Sequence, residues 1–184
     1  MLYDLEQTHK TVRDLAALPD DGKQYELIDG EIIMVPPPST YHQDIAQFLS
    51  ETLGQIVRRL KLGKVLYSPV NVYADDENVF QPDLLFVRHG NLAIIQQDGI
   101  HGAPDLVIEI LSPSNAYYDL KTKKDAYQRI GVREYWIVDP MDRSIECFTN
   151  SGKGYETFFL GKEGEIRSHV VTEFAVEVTS IFNL

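Results

Sequence analysis

"APDLVIEILSPS", residues 103–114, is the stretch on which the fold turns. Asp105 to Leu111 is an apolar run of the kind that fills a buried strand, and Glu109 interrupts it. Burying a carboxylate among Val107, Ile108, Ile110 and Leu111 costs on the order of several kcal/mol unless a cation or hydrogen bonds compensate it. A strand of this kind requires a positive or proton-donating partner, and another part of the chain has to supply it.

Downstream, "AYYDLKTKKDAYQRIG" (116–131) reads as a helix ended by Gly131, and "EYWIVDP" (134–140) as a second buried strand. At about 100° per residue, Leu120, Ala126, Tyr127 and Ile130 share one side of this helix. Lys123 points near the middle of that side, Lys121 points away and Lys124 lies at its edge. A lysine on a buried face must snorkel or find an anion. Asp119, four residues earlier, is one available anion and Glu109 is the other.

Upstream, "VFQPDLLFV" (79–87) reads as one strand in which Asp83 precedes the apolar run Leu84–Val87. If the strands bearing Asp83 and Glu109 are neighbours, both carboxylates approach one point. Few carboxylates, with the remaining positions left to water and phosphate oxygens, is how proteins hold Mg²⁺. Either acid taken alone also fits a paired or half-exposed residue at a strand end.

The remaining elements surround this core. "TVRDLAAL" (11–18) predicts a short helix, and "QYELIDGEIIMV" (24–35) a hairpin turning at Asp29-Gly30. A long helix is expected from Ser39 to Leu62, with Ile45, Leu49, Leu53 and Val57 at helical spacing and Gly63 closing it. "KVLYSPVNVYA" (64–74) predicts a strand separated from "VFQPDLLFV" by the acidic turn "DDEN". Residues 89–104 read as a loop with a helical turn. "SIECFT", "YETFFL" and short pieces towards "VEVTSIF" predict a strand-rich end. With no repeat or linker in view, one mixed α/β domain over residues 1–184 is expected.

Composition narrows the function classes. The 43% hydrophobic and 24% charged residues fit a soluble globular protein, and no apolar run approaches the roughly 20 residues of a membrane span. The amino-terminal residues lack the basic-then-apolar pattern of a secretory leader. Cys147 is the only cysteine, which excludes an internal disulfide and points to a reducing compartment, the cytoplasm. A net charge of −11 argues against a protein that coats nucleic acid, because phosphate contacts supply most of such affinity. Any nucleic-acid function needs a local basic patch or bound metal. Lys121, Lys123, Lys124, Arg129 and Arg133, with Arg58, Arg59, Lys61 and Lys64, are expected to form a basic rim around the cleft. The five histidines show no zinc spacing, and "GKEGE" (161–165) reads as a hairpin turn, not a phosphate loop.

The blocks "YELIDGEII", "PPPSTYHQ", "QPDLLFV", "DLVIEILSPS" and "DLKTKKDAYQRIGVREYWIVDP" occur in that order, with 25 residues between Asp83 and Glu109. In these blocks the chain resembles the PD-(D/E)XK nuclease superfamily and, within it, the Uma-type restriction endonuclease family. The superfamily pattern places a lysine two residues after the second acid, where this chain has Leu111. That departure is the Uma-type one, in which the lysine has moved to the following helix. The resemblance implies a restriction-endonuclease-like mixed sheet flanked by helices, with an N-terminal hairpin and extra C-terminal strands. It implies a DNA endonuclease whose catalytic set is Asp83, Glu109 and Lys123. Asp83, Glu109 and the main-chain carbonyl of Ile110 would hold Mg²⁺, or alternatively Mn²⁺. Lys123 would orient the attacking water or stabilise charge on the phosphorane.

Accessory positions in the matching blocks are Glu26, Glu31, His42, Gln81, Ser112, Lys124 and Tyr127. Glu26 or Glu31 would support the metal from behind its ligands. His42 reads either as a hydrogen-bonded surface residue at a helix start or as a ligand, and Ser112–Ser114 either as a helix cap or as a phosphate contact. DNA binding is expected to be weak and metal-dependent. A homodimer is expected because cutting two strands needs two sites. A non-catalytic dimeric interaction protein with the same fold is the competing reading, favoured by the acidic charge. RNA or structured DNA also remains open as substrate, since nothing in the sequence reads bases.

Overall fold

The computed structural model describes residues 9–112 and 118–183. A short helix, α1 (Val12–Ala16), precedes the hairpin of β1 (Gln24–Ile28) and β2 (Glu31–Val35). Asp29 and Gly30 turn this hairpin with φ of 49° and 75°. Both are positive, as the tight turn that matches strand twist requires. Helix α2 (Thr40–Leu60) starts where the Ser39 hydroxyl accepts from the His42 main-chain N–H at 3.1 Å. It ends at Lys61, which takes the left-handed conformation itself. Gly63, expected to close the helix, instead opens β3 (Gly63–Tyr67). A Cβ on Gly63 would lie 2.0 Å from the Val87 carbonyl oxygen, so glycine is required there by a neighbouring strand.

β4 (Val72–Asp75) and β5 (Asn78–Phe80) come next, followed by β6 (Leu84–Arg88). The run "VFQPDLLFV" is therefore two strands and not one. β5 pairs with β1, Leu27 opposite Val79, whereas β6 pairs with β3 in a different sheet. Pro82 has no N–H to offer a ladder, and the chain changes sheets at that residue. A 3-10 turn (His89–Ile94) and the two-residue β7 (Ile100–His101) occupy the segment expected as loop. β8 (Leu106–Ile110) follows, then a π-helical stretch (Tyr118–Lys123) that runs into α3 (Lys124–Ile130) and stops at left-handed Gly131. Pro113 and Ser114 of the expected cap, residues 116 and 117 of the expected helix, and the side chain of Asp119 lie outside what is described.

β9 (Glu134–Asp139), β10 (Ser144–Asn150), β11 (Tyr155–Gly161), β12 (Glu165–Arg167), β13 (Ala175–Glu177) and α4 (Val178–Phe182) complete the chain. The end of "VEVTSIF" is thus helical. Val178, Ile181 and Phe182, spaced three and four apart, bury one face of that turn.

Six strands form one sheet in the order β11-β10-β9-β8-β6-β3, and five form another in the order β2-β1-β5-β4-β7. In the six-stranded sheet β8 and β9 are parallel, with Ile108 opposite Trp136 and Glu109 opposite Ile137, and the crossover between them carries α3. Alternate residues feed two cores. Leu84, Phe86, Leu106, Ile108 and Trp136 pack with Ile45, Leu49, Leu53 and Val57 of α2. Leu85, Val87, Val107, Tyr135 and Ile137 pack with Ala126 and Tyr127 of α3 and with Ile28, Val72 and Phe80 of the five-stranded sheet. By this alternation Glu109 faces α3 and the second sheet.

At the opposite end of β9, Glu134 is fully buried and joins the sheet to the turn after β12. Its carboxylate accepts from Trp136 Nε1 at 2.6 Å, Ser168 Oγ at 3.1 Å, and the His169 and Val170 main-chain N–H groups at 2.7 and 3.0 Å. Burial pushes the Glu134 carboxyl above the usual range, against the opposing pull of these donors. The unfolded chain therefore ionises first as pH rises. Stability from this raised value is complete in acid and is lost as pH climbs through the folded-state value. Every partner is a donor, so Glu134→Gln must turn an amide N–H towards at least one of them. In acid the neutral carboxyl also turns a proton towards a donor, so in an unfolding titration Glu134→Gln should stay close to wild type there and lose less stability than wild type as pH climbs through the folded-state value. An unchanged midpoint at every pH would contradict this account.

Candidate active site

The carboxyl end of β8, the amino end of β6 and the amino end of α2 meet at a cleft of about 620 Å³. Its floor is built from residues far apart in sequence, each set by the element that carries it. β6 and β8 run antiparallel with Leu84 opposite Ile108, so the register continued by one residue sets Asp83 beside Glu109. The Asp83 carboxylate accepts the Ile110 main-chain N–H at 2.7 Å. His42 Nε2 lies 3.0 Å from the Ile110 carbonyl oxygen and 3.3 Å from Asp83 Oδ2. Both neighbours are acceptors, which places the proton on Nε2.

Lys123 is 3% exposed, and its ammonium lies 2.9 Å from Glu26 Oε1 and 3.4 Å from Glu109 Oε1. The Tyr127 hydroxyl donates to Glu109 Oε1 at 3.0 Å. Burial, followed by the nearby Glu109 charge, pushes that phenol well above its usual range, so it remains a donor. The Gln81 main-chain N–H donates to Glu26 Oε1 at 2.6 Å. An ammonium and a phenol thus compensate Glu109, and the ammonium is shared with a glutamate from the other sheet.

Of the residues singled out in the sequence, Glu26, His42, Gln81, Asp83, Glu109, Ile110, Ser112 and Lys123 all line the cleft. Tyr127 is buried behind Glu109. Glu31 is not brought in. It sits exposed at the hairpin turn, paired with Ile28. Lys124 turns away, its ammonium 3.6 Å above the Phe148 ring. His42 is buried, contrary to its reading as a surface residue. It precedes Ile45 by three and Leu49 by seven, so it continues the inner stripe of α2, a signal available in the sequence. The role of Glu26 as partner of Lys123 had no such signal, because it depends on how two sheets meet.

The expected basic rim does not form. All 17 lysines and arginines fall within the described residues, and only Lys123 lines the cleft. Arg129 pairs with Asp75 and Arg59 with Glu173, both 3.0 Å apart. Arg58, Arg59 and Lys61 lie at the far end of the 21-residue α2, roughly 30 Å from its cleft end. The cleft instead holds the carboxylates of Glu26, Asp83 and Glu109 beside the Lys123 ammonium and the His42 imidazole. Among the described residues no three His, Cys, Asp or Glu side chains gather tightly enough to bind an ion by themselves. The oxygens stand as two pairs, bridged by Lys123 and by His42. Asp83, Glu109 and the Ile110 carbonyl are nevertheless hard oxygen donors. Hard oxygen donors of this kind suit Mg²⁺ or Mn²⁺.

Residues 12–179 match the family Uma2, described as "Putative restriction endonuclease". The chain belongs to the Uma2 family. Uncharacterized protein sll1609 of Synechocystis is 26% identical over 149 residues, covering 77% of this chain and 81% of that protein. The crystal structure of a "putative nuclease belonging to DUF820" from Anabaena variabilis matches with a TM-score of 0.78 and 19% identity, over 94% of this chain and 97% of that one. The expected restriction-endonuclease-like α/β fold is borne out by this match. No helix among the described residues is long and apolar enough to cross a membrane.

Removing one partner of a buried ion pair leaves the others uncompensated. Lys123→Met should therefore destabilise the protein by about 3–5 kcal/mol in urea unfolding. Adding Glu26→Gln and Glu109→Gln to that variant should recover most of the loss. A single variant as stable as wild type would mean that the ammonium is not held between the two carboxylates.

Proposed function

We propose that this Uma2 protein is a divalent-metal-dependent endonuclease that hydrolyses phosphodiester bonds in DNA. The observation that carries the reading is the buried Lys123 ammonium within 2.9 and 3.4 Å of two carboxylates, at the strand ends where Asp83 and the Ile110 carbonyl also lie. Structural salt bridges do not need a third acid and an open cleft beside them.

Asp83, Glu109 and the Ile110 carbonyl would hold Mg²⁺ or Mn²⁺. When bound, the ion would polarise the scissile phosphate and lower the pKa of a coordinated water. The chain's own groups divide the remaining work. Ile110 N–H and His42 hold Asp83 in one orientation, and Tyr127 does the same for Glu109. Glu26 keeps Lys123 in place when Glu109 is otherwise engaged. Lys123 donates hydrogen bonds to the attacking water or to a phosphate oxygen and offsets charge that develops there. An ammonium held between two carboxylates suits an orienting role better than that of general base. On this reading residues 1–184 form one domain that works in the cytoplasm as a homodimer.

The net charge of −11 and a cleft with one lysine favour a second reading, a non-catalytic interaction protein on the same fold. Metal titration and turnover separate the two. Mg²⁺ or Mn²⁺ should raise Tm by binding the native state, and Asp83→Asn should abolish that rise. Glu26→Gln should leave the rise intact while slowing cleavage at least tenfold. Lys123→Ala should remove cleavage. A metal-induced rise that survives Asp83→Asn would place the ion elsewhere, and wild type without turnover would leave the second reading.

A further inference from the structure

The cleft's surroundings carry information about substrate form. Duplex DNA presents about one negative charge per 1.7 Å of axis, and proteins that bind it do so chiefly with lysine and arginine. Only Lys123 serves this cleft, from its floor, and the residues whose side chains are undescribed include no lysine or arginine. The lining otherwise mixes neutral polar groups such as Gln24, Gln43 and Ser68 with apolar and aromatic ones. Tyr41 and Met141 line the mouth with side chains 36% and 85% exposed, beside the prolines at 36 to 38. The Tyr41 hydroxyl donates to the Phe182 carbonyl at 3.0 Å, which fixes the ring as a platform.

A second cavity of about 330 Å³ adjoins the first, and Gln81 lines both. Its walls are apolar, with Val70, Ile95 and Ile100, and its polar edge carries the amides of Asn71, Gln96 and Gln97 and the Asp98 carboxylate, which His101 Nε2 meets at 3.0 Å. Apolar walls with amides at the rim suit a nucleobase, which offers faces to pack and an edge to hydrogen-bond. The Gln81 amide donates to Asn71 Oδ1 at 2.9 Å, while its Oε1 is buried without a hydrogen-bond partner. Gln81 forms the wall common to the two cavities. The Gln81 main chain is fixed to Glu26, so this amide stands at a set place relative to Lys123.

Resting on the nuclease reading above, we propose that the substrate is an unpaired polynucleotide strand. The phosphate lies over Lys123, one base enters the cavity beside Gln81, and its neighbour stacks on Tyr41. Stacking on an aromatic platform replaces the phosphate contacts that the acidic surface does not provide.

The test compares one labelled oligonucleotide, single-stranded and as a blunt duplex, by anisotropy with Ca²⁺ in place of Mg²⁺ so that no cleavage intervenes. The single strand should bind at least tenfold more tightly, with a shallow salt dependence set by roughly two or three phosphates at about −0.7 in log K per log salt each. Gln81→Leu and Tyr41→Ala should each weaken it about tenfold, and a 2-aminopurine base in the strand should change fluorescence on binding wild type only. Met141→Glu, at a side chain 85% exposed, should weaken it as well. Equal or tighter duplex binding, or no binding of either form, overturns the proposal. So do mouth variants that alter sedimentation and not strand binding, which would make the mouth an interface between copies. A parallel Mg²⁺ assay keeps the two readings apart. Strand binding without Lys123-dependent cleavage supports this proposal against hydrolysis, whereas Lys123-dependent cutting of duplex without strand preference leaves hydrolysis and overturns it.

Discussion

The Lys123 ammonium holds together two carboxylates that come from different sheets. Glu26 belongs to the five-stranded sheet and Glu109 to the six-stranded one, and neither is solvated. A buried ion pair contributes little net stability once desolvation is counted, but an incomplete one is strongly unfavourable. The ammonium thereby selects the one relative placement of the sheets in which both acids reach it. Two further hydrogen bonds extend the constraint along the floor, Gln81 N–H on Glu26 and Ile110 N–H on Asp83. The apolar contacts of Val107, Ile137, Tyr127, Phe80 and Ile28 drive the association, and the polar line fixes its register.

The crossover between β8 and β9 explains how the lysine can sit on a helix instead of two residues after the acid. Parallel neighbours need a connection that passes over one face of the sheet, and Glu109 points to the face this one covers. The helix lays Lys123, Ala126 and Tyr127 against that face within a single stretch. Leu111, two residues after Glu109, packs with the same apolar cluster and donates its main-chain N–H to the Val138 carbonyl at 2.8 Å. The positive group is thus defined by where it arrives, and its place in the sequence can move.

Local pattern made some of this readable and non-local geometry hid the rest. The run around Glu109 marked β8 because its residues are apolar on both faces, and the helical wheel brought Lys123 inward because Ala126 and Tyr127 are its neighbours on one side. Asp29-Gly30 declared its hairpin through the φ values that only such residues accept readily. The change of sheet at Gln81–Asp83 left no mark beyond Pro82, since both halves of the run are equally apolar. Glu26 could not be assigned to Lys123 because 97 positions and two sheets separate them. The basic rim was misjudged for a related reason. Charges clustered in sequence on a helix spread around its circumference and along its length, and Arg59 and Arg129 found acids of their own.

The floor of the cleft is assembled from residues 26, 42, 83, 109 and 123, none of which can find the others by local structure. Closing such separations is entropically unfavourable until long-range strand pairing rewards it, so they come together late in folding. On the proposed reading, hydrolytic power is a property of the finished tertiary structure alone. A nascent chain still emerging, a proteolytic fragment or a collapsed intermediate has the acids and the lysine but not their meeting point. On that reading, cleavage begins only once the whole chain has folded.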